Sequence, residues 1–202
     1  MKGFEKWKKY LHITCLLYTS YTGDLRTLFE IRNAKEANEL FLCAFRDRRA
    51  LDEGFVKELQ RQLTHGTYDT RRWQLGERPG EYKRHDYVTG REEVGAAPED
   101  VADEMRELLS EIQDVPARNV LTAAAYFHAK FENIHPFADG NGRTGRLAMN
   151  YFLVLRDHPP IVIHEMCIRD RDGALLPFLH PGSAGTRALS NSPQDCWNRP
   201  GH

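Results

Sequence analysis

Apolar residues along this chain recur at helical spacing in five separate runs. From Asp24 to Phe45, Leu28, Ile31, Ala34, Ala37, Leu40 and Phe41 fall near a 3.6-residue repeat and predict an amphipathic helix. Leu51, Phe55, Leu59 and Leu63 recur every four residues and predict a second, stopped at His65-Gly66. Pro98-Glu99-Asp100 opens a third, with Val101, Met105, Leu108, Leu109 and Ile112 on one face and acids in the first turn, where the helix dipole favours them. It ends near Asp114 to Pro116. Asn119 to Glu132 predicts a fourth, with Val120, Ala123, Ala124, Phe127 and Phe131 inward. Its alanine-rich centre permits close packing, so this helix is expected to be the most buried element. Arg143 to Leu155 predicts a fifth, bringing Leu147, Met149, Phe152 and Leu153 to the core, with Asp157 to Pro160 as its stop.

Between Gly66 and Pro98 the helical period disappears, and Gly, Pro, Arg and Tyr dominate "GERPGEYKRHDYVTG". Arg78-Pro79-Gly80 and Thr89-Gly90 are turn signals around a short segment with Tyr82, Tyr87 and Val88. The expectation is an irregular loop carrying a small hairpin, and a loop this long inside a compact domain is more often functional than a plain connection.

Composition narrows the picture. The 202 residues suit one domain, 41% hydrophobic and 28% charged, with a formal charge of -1. That balance provides no global field for nucleic acid or an anionic membrane, so neither is an expected partner and any phosphate binding must be local. Apolar stretches such as Leu121 to Phe127 are too short to span a bilayer. The first twenty residues lack the unbroken apolar run and cleavage site of a secretion signal. Cys15, Cys43, Cys167 and Cys196 lie far apart, without the close pairs of a zinc site or redox motif, and read as reduced thiols in the cytoplasm.

The candidate chemistry sits between the fourth and fifth helices, in "HPFADGNGRTGR", His135 to Arg146. Gly140-Asn141-Gly142 is a loop whose backbone can approach a ligand closely, and it feeds into a helix start. Unpaired amides and the positive dipole end make that start an anion site, to which Arg143 and Arg146 add charge. Gly145 between them is expected to keep the surface open. Two guanidinium groups and several amides fit a polyphosphate better than a single carboxylate. Asp139, beside the loop, is placed to hold a divalent ion that also touches phosphate oxygens. The neutral imidazole of His135 could take a proton from an attacking hydroxyl. Pro136 and Phe137 would fix the turn and anchor it in the core. A Walker-type loop is excluded because its Gly-Lys-Ser/Thr ending is missing, and a dinucleotide fingerprint because no strand precedes the glycines.

Position by position, these residues resemble the Fic family signature HPFx(D/E)GNGRxxR, matched throughout from His135 to Arg146. The resemblance implies an all-α, Fic-type helical bundle with a small β-hairpin flap, covering residues 25–165. It implies transfer of AMP from ATP to a Ser, Thr or Tyr hydroxyl of a target protein, with Mg2+ as the ion and pyrophosphate released. His135 would be the general base and Asp139 the metal ligand. Gly140, Asn141 and Gly142 would form the anion hole, and Arg143 and Arg146 would hold the outer phosphates. The stretch Tyr82, Lys83, Arg84, His85, Asp86, Tyr87 and Val88 occupies the place of the flap that clamps the target by strand-like pairing. Asn150 is a nucleotide-contact candidate, against the equal alternative of a helix side chain satisfied in the core.

Gly142 argues against the kinase-like subfamily, which carries Ala-Asn-Lys at the loop; phosphocholine or UMP transfer stays open. The family's self-inhibiting (S/T)xxxE(G/N) helix is not matched, since Glu53-Gly54 and Glu132-Asn133 are preceded at the required offset by Arg49 and His128. Inhibition would then come from a separate antitoxin-like partner, or the segment has been lost. Homodimers are common in the family and are a further partner expectation. Residues 166–202 are rich in Gly, Pro and Ser without helical period, and "CLLYTS" and "MCIRDR" resemble translated sequencing adapters, so residues 1–24 and 166–202 read as non-native. The alternative reading is a Fic-like nucleotide-binding or interaction module without catalysis.

Overall fold

A computed structural model describes residues 25–89 and 93–163. The expected non-native ends, and Cys15, Cys167 and Cys196 with them, lie outside the described residues. The elements are α1 (Leu25–Arg46), α2 (Glu53–Thr64), α3 (Thr70–Gln74), β1 (Val88–Thr89), β2 (Glu93–Val94), α4 (Val101–Glu111), a 3-10 turn (Ala117–Asn119), α5 (Val120–Ile134) and α6 (Asn141–Leu155). The protein is therefore helical. Its β1 and β2 are two residues each, paired antiparallel with Val88 opposite Val94 and Thr89 opposite Glu93.

α5 and α6 pack on one another most extensively, with α2 against both α1 and α6 and α4 against α5. Fully buried Tyr151 of α6 organises the centre, with Phe41 of α1 edge-on at 5.1 Å and Phe55 of α2 at 4.6 Å. Its hydroxyl donates to Arg49 O at 2.6 Å, so the largest core ring also satisfies the α1–α2 connection. Asp52 caps α2 by accepting from the Phe55 amide at 2.7 Å. Cys43 is a free, exposed thiol. Among the described residues no helix is long and apolar enough to cross a membrane.

Three expectations need correction. The most buried element is α6, with eleven of its fifteen residues buried against seven of fifteen in α5. Leu28 is 48% exposed, because the buried stripe of α1 runs through Thr27, Asn33, Ala34, Ala37 and Asn38 to Phe41. Asn33 earns its interior place by donating to His65 O at 2.7 Å. The Gly66 to Pro98 stretch also holds α3, a five-residue helix capped by Asp69, which accepts from the Arg72 amide at 2.8 Å.

Candidate functional site

α5 ends at Ile134, and Pro136 helps to stop it, since the residue before a proline is disfavoured in the right-handed helical region. His135 takes the left-handed one instead (φ 50°, ψ 61°), its amide still donating to Phe131 O at 3.0 Å. Helices usually place glycine at this position, so a histidine there is a local strain that the surroundings must hold. The turn that follows is anchored as expected. Pro136 and Phe137 are buried, and the Phe137 ring lies 5.5 Å from Tyr82 and 6.4 Å from Phe131. Burial, reinforced by the Lys83 ammonium, pushes the half-buried His135 imidazole down to about 4, against smaller upward pulls from the Glu132 backbone and Asp139. It is neutral at physiological pH, and a neutral imidazole can accept a proton.

The glycine loop is not separate from the helix. α6 begins at Asn141, two residues before the expected start, with Gly140 as its N-cap at φ 81°. Asn141 closes the turn on itself: its Nδ2 donates to Phe137 O at 2.6 Å, and its Oδ1 accepts from the Phe137 amide at 2.8 Å. The first-turn amides at Asn141, Gly142 and Arg143 have no partner within the helix, which is the anion-binding geometry of a helix start. Arg146 folds back along the helix, its Nη1 3.2 Å from where a Cβ would stand at Gly142. Gly145 does not keep the arginine face open. It is buried against α5, and a Cβ there would lie 2.8 Å from the Phe131 ring.

Asp139 sits inside a charge network that reaches across the molecule. Its Oδ2 accepts from Arg26 of α1 at 2.7 Å, and its Oδ1 accepts from the Gly140 amide at 2.7 Å and lies 3.6 Å from Arg143. Glu30, one turn along α1, pairs with Arg26 at 3.2 Å and with Arg143 at 3.3 Å. Among the described residues no three His, Cys, Asp or Glu side chains converge as a protein-only metal cage. One carboxylate beside an anion site does suit magnesium, which takes one or two carboxylates plus substrate phosphates.

Behind the loop, buried Gln60 of α2 ties three segments together. Its Nε2 donates to Asp139 O at 2.9 Å and Tyr68 OH at 3.1 Å, and its Oε1 accepts from the Gly80 amide at 2.5 Å.

The flap candidates divide in two. Tyr82 and Lys83 lie at the root, Tyr82 against Phe137 with the Lys57 ammonium 3.9 Å over its ring, and Lys83 buried with its amide donating to Pro136 O. Arg84, His85 and Tyr87 are organised by buried Glu77, which accepts from the Arg84 amide at 3.0 Å and the Tyr87 hydroxyl at 3.0 Å and meets His85 Nδ1 at 3.1 Å. Asp86 is exposed, and Val88 opens β1. A cleft of about 480 Å3, lined by Asp69, Arg71, Arg72, Leu75, His85, Asp86 and Tyr87, contains no motif residue. Asn150 is satisfied within the fold, donating to Ile161 O at 3.0 Å and accepting from the Ile161 amide at 2.7 Å. The structure thus adds Arg26, Glu30, Gln60 and Glu77 to the site's surroundings. Sequence offered no signal for the first two, whereas a glutamine beside a run of core leucines was a readable one.

A family model described as the Fic/DOC family matches residues 50–153. The chain is similar to proteins named "Protein adenylyltransferase Fic" from Nematostella vectensis (41% identical over 98 residues, 43% of this chain) and Drosophila erecta (39% over 87 residues, 42% of this chain). A third, from Drosophila persimilis, is 58% identical over 40 residues, 20% of this chain. The matches span 22%, 17% and 8% of those proteins' own lengths, respectively. Among solved structures, the chain is similar to a Fic domain containing signaling protein from Bacteroides thetaiotaomicron (25% identity, TM-score 0.56, 83% of this chain and 67% of that one). It is also similar to a Fic family protein from Desulfovibrio desulfuricans (26% identity, TM-score 0.54, 77% and 48%).

Proposed function

This chain belongs to the Fic/DOC family, and on that premise we propose that it is a Mg2+-dependent protein adenylyltransferase. It takes AMP from ATP, places it on a Ser, Thr or Tyr hydroxyl of a target protein, and releases pyrophosphate. The observation that carries this reading is a half-buried His135 in the turn that leads into the start of α6, whose first amides have no partner within the helix. The target oxygen forms a bond to the α-phosphorus, the bond from that phosphorus to the bridging oxygen of the pyrophosphate breaks, and the hydroxyl proton goes to His135. Gly140, Asn141 and Gly142 present backbone to the phosphates, and Arg143 and Arg146 neutralise their charge. Asp139 would hold the magnesium ion, which supplies charge neutralisation at the phosphate oxygens. The β1–β2 pair would offer an edge to the extended acceptor segment.

One observation favours the competing reading of a nucleotide-binding module without turnover: Asp139 is already paired with Arg26. The two are separated by incubating the full chain with Mg2+, a cell lysate and ATP labelled at the α- or γ-phosphate, with His135→Ala as control. Label from the α position alone, lost in the variant, is the expected result. Label from the γ position alone means phosphotransfer. No label, with a melting temperature that still rises on adding ATP, means the binding module.

A further inference from the structure

One loop holds His135 through both of its neighbours. The Lys83 amide donates to Pro136 O at 2.9 Å, and the Ala96 amide donates to Ile134 O at 3.0 Å. The donors flank the β1–β2 pair along the chain, and the acceptors flank His135. Gly95 lets the returning strand come this close: a Cβ there would stand 2.5 Å from Ile134 O and 2.6 Å from His135 Cβ. Nothing larger than hydrogen fits between them. His135 meanwhile keeps a left-handed backbone, a conformation uncommon for an L-residue.

We propose that Lys83, Gly95 and Ala96 are positioning residues for His135, coupling the β1–β2 pair mechanically to the imidazole, so that a segment seated on that pair also sets the reach of the base. The proposal rests on His135 being that base. None of the three residues needs to touch a substrate. Their effect passes through two carbonyls and one close approach, and it would make occupancy of the β1–β2 edge and alignment of the imidazole a single event. A target that pairs weakly with the edge would then suffer in turnover as well as in affinity, because placement errors of about 1 Å cost up to about a hundredfold.

The test is Gly95→Ala in the full chain, read by the ring 13C–1H signals of His135 in NMR, the amide signals of Gly142 and Arg143, and transfer of α-labelled AMP. The expected result is a moved His135 signal, unmoved Gly142 and Arg143 signals, and kcat down by about tenfold or more with KM for ATP unchanged. A merely structural role would lower stability and shift all three sets of signals together. An unmoved His135 signal, or kcat within about twofold of the parent, overturns the proposal. If Gly95→Ala does not fold, Ala96→Pro, which replaces the donor to Ile134 O with a ring carbon and fixes the local backbone, must move the same signal. Absence of transfer in the unsubstituted chain would defeat the adenylyltransferase reading, while the His135 signal still decides the positioning one.

Discussion

A histidine occupies the left-handed position that closes α5, where glycine would relieve the backbone, and the cost is of the order of 1–3 kcal/mol. The same residue predicts a pH profile. In the proposed role of base His135 works unprotonated, and burial pushes it down to about 4, so kcat/KM is expected to stay flat to about pH 5 and fall with a midpoint near 4. In kcat the midpoint should lie higher, because bound phosphates favour the imidazolium. A kcat/KM midpoint at the ordinary 6.5 would mean the ring is not buried as described. Stability moves in the same direction. Between about 6.5 and about 4 the unfolded chain binds this proton and the folded one does not, so stability falls as pH drops through that window. His135→Gln should flatten that part of the melting-temperature curve. At Gly140, φ is 81° and a Cβ would stand 2.6 Å from Thr64 Cγ2. Gly140→Ala should therefore cost about 1–3 kcal/mol in denaturant unfolding.

α6 changes character along one axis: its first turn is polar, with the free amides of a helix start, and most of the rest is core. Only the core part shows in hydrophobic periodicity, which is why the sequence reading starts this helix at Arg143 instead of Asn141. The long helices were legible because each carries several apolar turns. α3 was not, since five residues cannot establish a period and only the Asp69 cap announces it. Gly145 was misread for a related reason, because a glycine in an arginine-rich turn looks like surface until its neighbour Phe131 is known. Gly145→Ala should overpack the α5–α6 contact by about 1–3 kcal/mol, measured as a lower unfolding midpoint. Unchanged stability would show that the Phe131 ring can yield.

Across the whole molecule, the motif residues were legible and the groups that oppose their charges were not. Arg26 and Asp139 are 113 positions apart, and no local pattern encodes a pair at that range. The Arg26 side chain is 47% exposed, so Arg26→Gln should change stability by less than about 1 kcal/mol. Its larger effect should be on cation affinity, because a resident guanidinium no longer competes for Asp139. Titration with Mn2+ in the presence of ATP, followed by EPR, should show tighter binding in the variant; equal affinity would mean that Arg26 yields without cost.

The family match starts at residue 50, yet Arg26 and Glu30 lie on α1, ahead of it. A fragment cut at the family boundary would keep every motif residue while stripping Asp139 and Arg143 of the counter-charges that α1 supplies. The portable unit, for expression or for grafting this site into another scaffold, therefore begins no later than the first turn of α1.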